Sequence, residues 1–129
     1  MGATKRSHYA DELLELADLF KILGHPARLS ILQNLAKDSE LNCKELKEKI
    51  PLAQSTISQH LKLLYVHGAV GYKVIGNNAY YSVNRSVIET CVKGLDKIES
   101  ILKEGGNDEQ LAFFLPYLKA ISFLKKELT

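Results

Sequence analysis

The sequence predicts a mainly α-helical fold with one small β-hairpin, and three observations carry the prediction. Apolar residues recur at three- and four-residue spacing along most of the chain, the period of helices that bury one face. Two short helical stretches, Cys43 to Ile50 and Gln54 to about His67, follow each other across a tight connection containing Pro51. Short helices joined by a turn of a few residues are a recurrent unit. The period then changes to two across AVGYKVIGNNAYYSV (Ala69 to Val83), where β-branched and aromatic residues flank Gly76-Asn77-Asn78, a hairpin signal. At 129 residues, 46% hydrophobic and 25% charged, the chain reads as one soluble globular domain over 1–129 with a modest core.

The first helix spans about residues 9–23, with Leu13, Leu16, Ala17, Phe20 and Leu23 on one side and Gly24 ending it. His25-Pro26 opens the second, His25 as a turn or cap residue and Pro26 in the first turn, where its missing N–H costs nothing. Leu29, Leu32 and Leu35, with Ile31 beside them, form its apolar side, and Asp38-Ser39-Glu40 is a polar break. Asn42 and Glu45 have the spacing of a capping box for the third helix. The fourth opens at Gln54 behind Ala53, which forgoes about 1 kcal/mol of capping, and Gly68 supplies a left-handed C-cap. Residues 42–67 thus form a helix-turn-helix and residues 69–83 a wing.

Ser86 and Glu89 read as a second capping box. It starts a helix over about 87–103 with the stripe Ile88, Cys91, Val92, Leu95, Ile98 and Leu102. Gly94 is its weak point, about 1 kcal/mol worse than Ala in a helix. After Gly105-Gly106-Asn107-Asp108, a C-terminal helix covers about 108–127. Its stripe is Leu111, Phe114, Leu115, Leu118, Ile121 and Leu124, and Pro116 bends or divides it. The sum is a winged helix-turn-helix with helical flanks.

Charge points to a polyanionic partner. The net charge is only +2, yet no Asp or Glu occurs between Glu48 and Glu89, where Lys49, Lys62, Lys73 and Arg85 lie. Such a segment suits an approach to phosphates. Within the fourth helix, taking Ile57 as zero, Leu61 falls at about 40° and Leu64 at about 340°, the buried stripe. Ser55, Gln59 and Lys62 fall at about 160°, 200° and 140°, opposite it, with Thr56 and Ser58 beside them. Gln and Ser read base edges by hydrogen bonding, so this face suits the major groove of double-stranded DNA.

LFKILGHPARLSILQNL, AQSTISQHLKLLYVHGAV and the hairpin ending YYSV together resemble the ArsR/SmtB family of bacterial winged-helix repressors over roughly residues 10 to 102. The most specific part is QSTISQHLKLL. The resemblance implies a homodimer that presents Gln54, Ser55, Thr56, Ser58 and Gln59 to the major groove. It implies that His60 anchors the helix or meets a phosphate, and that Lys73, Asn77 and Asn78 lie along the backbone or minor groove. It also implies a dimer seam made by the first and fifth helices, on Leu13, Leu16, Phe20, Ile88, Cys91, Val92, Leu95, Ile98 and Leu102. Those apolar stripes are ones a small monomer struggles to cover. The operator would be a pseudo-palindrome with half-sites about one helical turn apart. The wing is less basic than is common in the family, which implies a shallow salt dependence of binding.

Many family members release DNA on binding a metal. One such site resembles a Cys-x-Cys on the helix before the turn, but ELNCKEL (Glu40 to Leu46) carries Asn42 and Lys44 at the ligand positions, with Cys43 between them. The other resembles Asp-x-His at the start of the fifth helix, where this chain has Arg85, Ser86 and Val87. A transition metal needs about four converging N, S or O ligands; neither recognised site is present, and no metal or other cofactor is expected. Cys43 sits beside Lys44 in a first helical turn, a setting that lowers a thiol pKa. Some relatives sense oxidants through two distant cysteines, so thiol sensing through Cys43 and Cys91 stands as the alternative for an otherwise unknown effector. The cysteine count gives no disulfide framework, and a reducing cytoplasm is the expected compartment.

No catalytic constellation appears: no Gly-rich phosphate loop, no GxSxG and no paired carboxylates near the acid-free segment. No apolar run approaches a membrane span. The expected function is sequence-specific DNA-binding transcriptional regulation, by a repressor and not an enzyme. The rival is a winged-helix protein-interaction module with weak or no DNA binding, because fold alone does not fix function.

Overall fold

A computed structural model describes residues 6–105 and 108–127, apart from the side chains of residues 108–112, 114 and 127. After a 3-10 turn at Arg6–His8, helix α1 (Asp11–Leu23) ends where the Gly24 N–H donates to the Phe20 carbonyl. Helix α2 (Pro26–Asp38) starts at Pro26 and is capped by His25, whose Nδ1 accepts from the Ala27 N–H at 3.1 Å. It stops at Ser39, where φ is +70°. Helix α3 (Cys43–Lys49) has the expected capping box, with Asn42 Oδ1 accepting from the Glu45 N–H at 2.8 Å and Glu45 Oε1 from the Asn42 N–H at 3.1 Å. Helix α4 (Gln54–Val66) begins behind Ala53 with no side-chain cap and gives way to Gly68 at φ +76°.

Strands β1 (Val70–Ile75) and β2 (Asn78–Val83) pair antiparallel in a register from Val70↔Val83 to Ile75↔Asn78. Between them Gly76 takes φ +61°, a left-handed position that a residue without Cβ adopts freely. Leu41 adds an isolated bridge to Tyr81, tying the α2–α3 connection to the wing.

Helix α5 (Arg85–Gly105) begins two residues earlier than a Ser86 cap requires. Asn84 is the cap: its Oδ1 accepts from the Ser86 N–H and hydroxyl at 3.2 and 2.8 Å. Its Nδ2 donates to the Gly68 carbonyl at 2.9 Å, so one side chain joins the end of α4 to the start of α5. Gly94 also has a packing reason. A Cβ there would lie 2.5 Å and 2.9 Å from the two methyls of Leu16, so the missing side chain admits α1 against α5.

The core lies between α2, α3, α4 and the foot of the hairpin. Ile31, Leu35, Leu46, Ile57, Leu61 and Leu64 are fully buried, joined by Leu41, Ile50, Ala69 and Val70. Each large aliphatic side chain buried this way contributes about 1.5–3 kcal/mol. Two sequence expectations shift by part of a turn. In α2 Ile31 is buried together with the expected Leu32 and Leu35, while Leu29 is exposed. In α1 the core takes Leu19 and Ile22, leaving Leu13 exposed and Leu16 and Phe20 half-buried. α1 is apolar on more than one face, and periodicity alone does not choose between them.

The chain packs as two compact units, Met1–Gly94 and Leu95–Thr129. The second holds the end of α5 and helix α6 (Asp108–Glu127), which contains Pro116 as one continuous helix. Within the expected α6 stripe, Leu115, Leu118, Ile121 and Leu124 are exposed, while the side chains of Leu111 and Phe114, and Gly106-Asn107 of the expected break, lie outside the described residues. Among the described residues, no helix is long and apolar enough to cross a membrane.

Candidate nucleic-acid interface

α4 has two opposite faces. Ile57, Leu61 and Leu64 face the core at 0% exposure, while Gln54, Ser55, Ser58, Gln59 and Lys62 are exposed and Thr56 is half-buried. The core stripe fixes the rotation of the helix, and that rotation turns the Gln/Ser/Lys face to solvent. No acid lies on this helix.

His60 is half-buried and packs back on α2. Its ring lies 4.7 Å from that of His25, and its Nδ1 is 3.4 Å from Arg28 Nη1. Arg28 Nε in turn donates to the carbonyl of Ile22, so Arg28 links the end of α1 to the reading helix. Partial burial first, then the electrostatic influence of the neighbouring His25 and Arg28, push the His60 imidazole below its ordinary value and favour its neutral form. Of the two roles the family resemblance implies for His60, this is the geometry of an anchor.

The wing is exposed at Lys73, Asn77 and Asn78. Lys73 is not a free cation, because its Nζ lies 3.1 Å from Glu40 Oε2. Lys49 is similarly paired with Asp38 at 3.2 Å. The segment is thus free of acids along the chain but not in space, since the acids that close α2 reach two of its lysines. Among the described residues, Lys62 and Arg85 make no ion pair.

Between α4 and the hairpin runs an open groove of about 430 Å³, lined by Ser58, Gln59, Lys62, Tyr65, Tyr72, Ala79 and Tyr81. The tyrosine rings contact in sequence, Tyr65 to Tyr72 at 5.0 Å and Tyr72 to Tyr81 at 5.5 Å between centroids. Sequence reasoning does not single out Tyr65 or Tyr72. The spacing Ser58, Lys62, Tyr65 places Tyr65 on the reading side of α4, and that was the available signal for it. Tyr72 joins through the cross-strand pair Tyr72↔Tyr81, which depends on the register.

The cysteines lie in different settings. Cys43 is half-buried against the core. Burial pushes its thiol up, and the Ser58 side chain on α4 offsets this only in part, so the lowering expected from Lys44 is not met. Cys91 is 5% exposed and its thiol is also pushed up by burial. It packs inside its own chain and is not open to a seam. The other α5 stripe residues differ: Val92, Leu95, Ile98 and Leu102 are each half or more exposed, and Ile88 is half-buried. Among the described residues no three His, Cys, Asp or Glu side chains gather as a metal site.

Comparison with known proteins bears on this geometry directly. A helix-turn-helix domain family matches residues 23–70, from the end of α1 to the first residue of β1. The transcriptional repressor PagR of Bacillus anthracis is 36% identical over 88 residues, which cover 64% of this chain and 83% of PagR. The arsenical resistance operon repressor of Staphylococcus aureus is 31% identical over 86 residues, covering 67% of this chain and 82% of that protein. The crystal structure of PagR matches with a TM-score of 0.56 at 35% identity, over 64% of this chain and 94% of that one. An ArsR-like regulator from Rhodococcus sp. RHA1 shares the fold with a TM-score of 0.66 at 21% identity, over 82% of this chain and 95% of that one. These relatives are transcription regulators, not enzymes. The chain is accordingly a DNA-binding transcription regulator, and it belongs to the ArsR/SmtB family of winged helix-turn-helix proteins.

Proposed function

We propose that the chain works as a cytoplasmic homodimeric repressor that reads a pseudo-palindromic operator without the metal sites recognised in its family. The observation that carries this reading is the division of labour on α4, where three fully buried aliphatics fix an exposed, acid-free Gln/Ser/Lys face. Gln54, Ser55, Thr56, Ser58 and Gln59 face the major groove; Lys62, Lys73, Asn77 and Asn78 contact the backbone; His60 anchors the helix. The names of PagR and of the staphylococcal protein support the repressor assignment. Exposure of Leu13, Val92, Leu95, Ile98 and Leu102 supports a second copy as their cover, with Leu16, Phe20 and Ile88 at its margin. The acids opposite Lys73 and Lys49 support a modest backbone attraction and a shallow salt dependence.

The test is a fluorescence-anisotropy titration of the reduced protein at low and moderate salt. It uses a duplex selected from a random-sequence pool and a scrambled duplex of the same composition. Selective binding by a particle that sediments as a dimer is the expected result. A monomer, or equal affinity for both duplexes, overturns the corresponding part of the reading.

A further inference from the structure

Two rings of the tyrosine row along the α4–hairpin groove, Tyr65 and Tyr72, have no explanation in the core. Tyr65 and Tyr72 are each 48% exposed, so half of each ring remains in water. If the row served only to brace the wing, rings without hydroxyls would do as well. Instead three phenols from three elements form one wall, and Ser58, Gln59 and Lys62 of the reading face form part of the same lining. Among the described residues, no acid lines the groove.

Charge accounting on the wing adds a second observation. A protein that grips duplex DNA directs half or more of its hydrogen bonds to phosphate and sugar, from cations and from neutral donors such as Tyr. Here Lys73 is held by Glu40 at 3.1 Å, and Lys62 is the only cation among the described residues that line the groove. Neutral donors must therefore supply much of the backbone contact at this edge. Phenol hydroxyls suit it, since they donate to an anionic oxygen and their ring faces offer apolar surface to a deoxyribose.

We propose that this groove seats one strand of the operator's sugar-phosphate backbone, with the hydroxyls of Tyr65 and Tyr72 donating to phosphate oxygens beside Lys62. Tyr81 is a positioning residue. It packs against the core, bridges Leu41 through its backbone and supports the Tyr72 ring from below. The assignment rests on the DNA-binding reading above and extends it to residues outside the reading face.

The test compares wild type with Tyr65→Phe, Tyr72→Phe and Lys62→Ala by anisotropy, on the selected and the scrambled duplex, across a salt series. The Phe variants keep the stacked rings and remove only the hydroxyls. Each is expected to bind about tenfold more weakly to both duplexes, with the salt slope unchanged because a neutral donor releases no counterion. Lys62→Ala is expected to lower the slope by about one. Phe variants that bind like wild type overturn the groove assignment, and a loss confined to the selected duplex replaces the backbone contact with a base contact.

A variant-free measurement is nitration of the wild type by tetranitromethane, read by mass spectrometry. Tyr65 and Tyr72 should react in the free protein and be protected in the complex. Equal nitration of both states overturns the proposal. A wild type that binds no selected duplex even at low salt overturns the regulator reading itself, an outcome distinct from these.

Discussion

Helices α4 and α5 are both amphipathic, yet they finish their apolar faces in different places. α4 completes its stripe inside the chain, with Ile57, Leu61 and Leu64 at 0% exposure, and turns its polar side outward. α5 buries Cys91 alone and leaves Val92, Leu95, Ile98 and Leu102 exposed at 50–57%. A fixed polar face suits a polar polymer, whereas an open apolar stripe of this length calls for another protein surface. In the function proposed above the two helices divide the work: one is held to read, the other is left unfinished to assemble.

The sharpest way to break this contrast is Leu95→Glu, which places a carboxylate in the middle of the open stripe. An unpaired charge buried at a seam costs about 3 kcal/mol or more, so sedimentation equilibrium should find a monomer where wild type is a dimer. A dimer that survives unchanged removes α5 from the seam. The matching change on α4 is Leu61→Ala, expected to lower unfolding stability by about 2–5 kcal/mol through the cavity it leaves, read by denaturant titration. If instead it chiefly weakened dimerisation, the assignment of inside and outside would be reversed.

Smaller effects sharpen the polar half of the comparison. Gln59→Ala and Ser55→Ala should each lose about 1–3 kcal/mol of discrimination between selected and scrambled duplex, with dimerisation and melting untouched. Unchanged selectivity would mean that the exposed face of α4 is merely solvated. Glu40→Gln is the mildest: it frees Lys73 from an exposed pair worth at most about 1 kcal/mol. It should tighten binding to all duplexes slightly and steepen the salt slope by about one, and Lys73→Ala should do the opposite.

What could be read from the sequence follows from the range of the physics. The α4 stripe, the Asn42–Glu45 box, the Gly68 C-cap and the hairpin at Gly76 are local, set by residues within one turn of each other, and all appear in the structure. The family match bears out the winged helix-turn-helix they imply. The misses are non-local. Asn84, not Ser86, starts α5, because the same side chain also reaches back to the Gly68 carbonyl. α1 could bury either of two faces, and packing against α2 and α4 chose Leu19 and Ile22. Glu40 closes on Lys73 only because the Leu41–Tyr81 bridge brings the end of α2 to the wing. The tyrosine row needed both the rotation of α4 and the strand register. At Cys43 a neighbouring lysine is visible in sequence, but the burial that outweighs it is not.

The two-way grip of Asn84 has a mechanical result. Because it holds both the first turn of α5 and the Gly68 carbonyl beyond α4, it gives the two helices a common pivot. α5 is 21 residues long, a lever of about 30 Å. Over the first turns of α5, a tilt about that pivot moves the helix start and the Gly68 carbonyl together, so the two helix ends behave as one joint, as two links do on a shared pin.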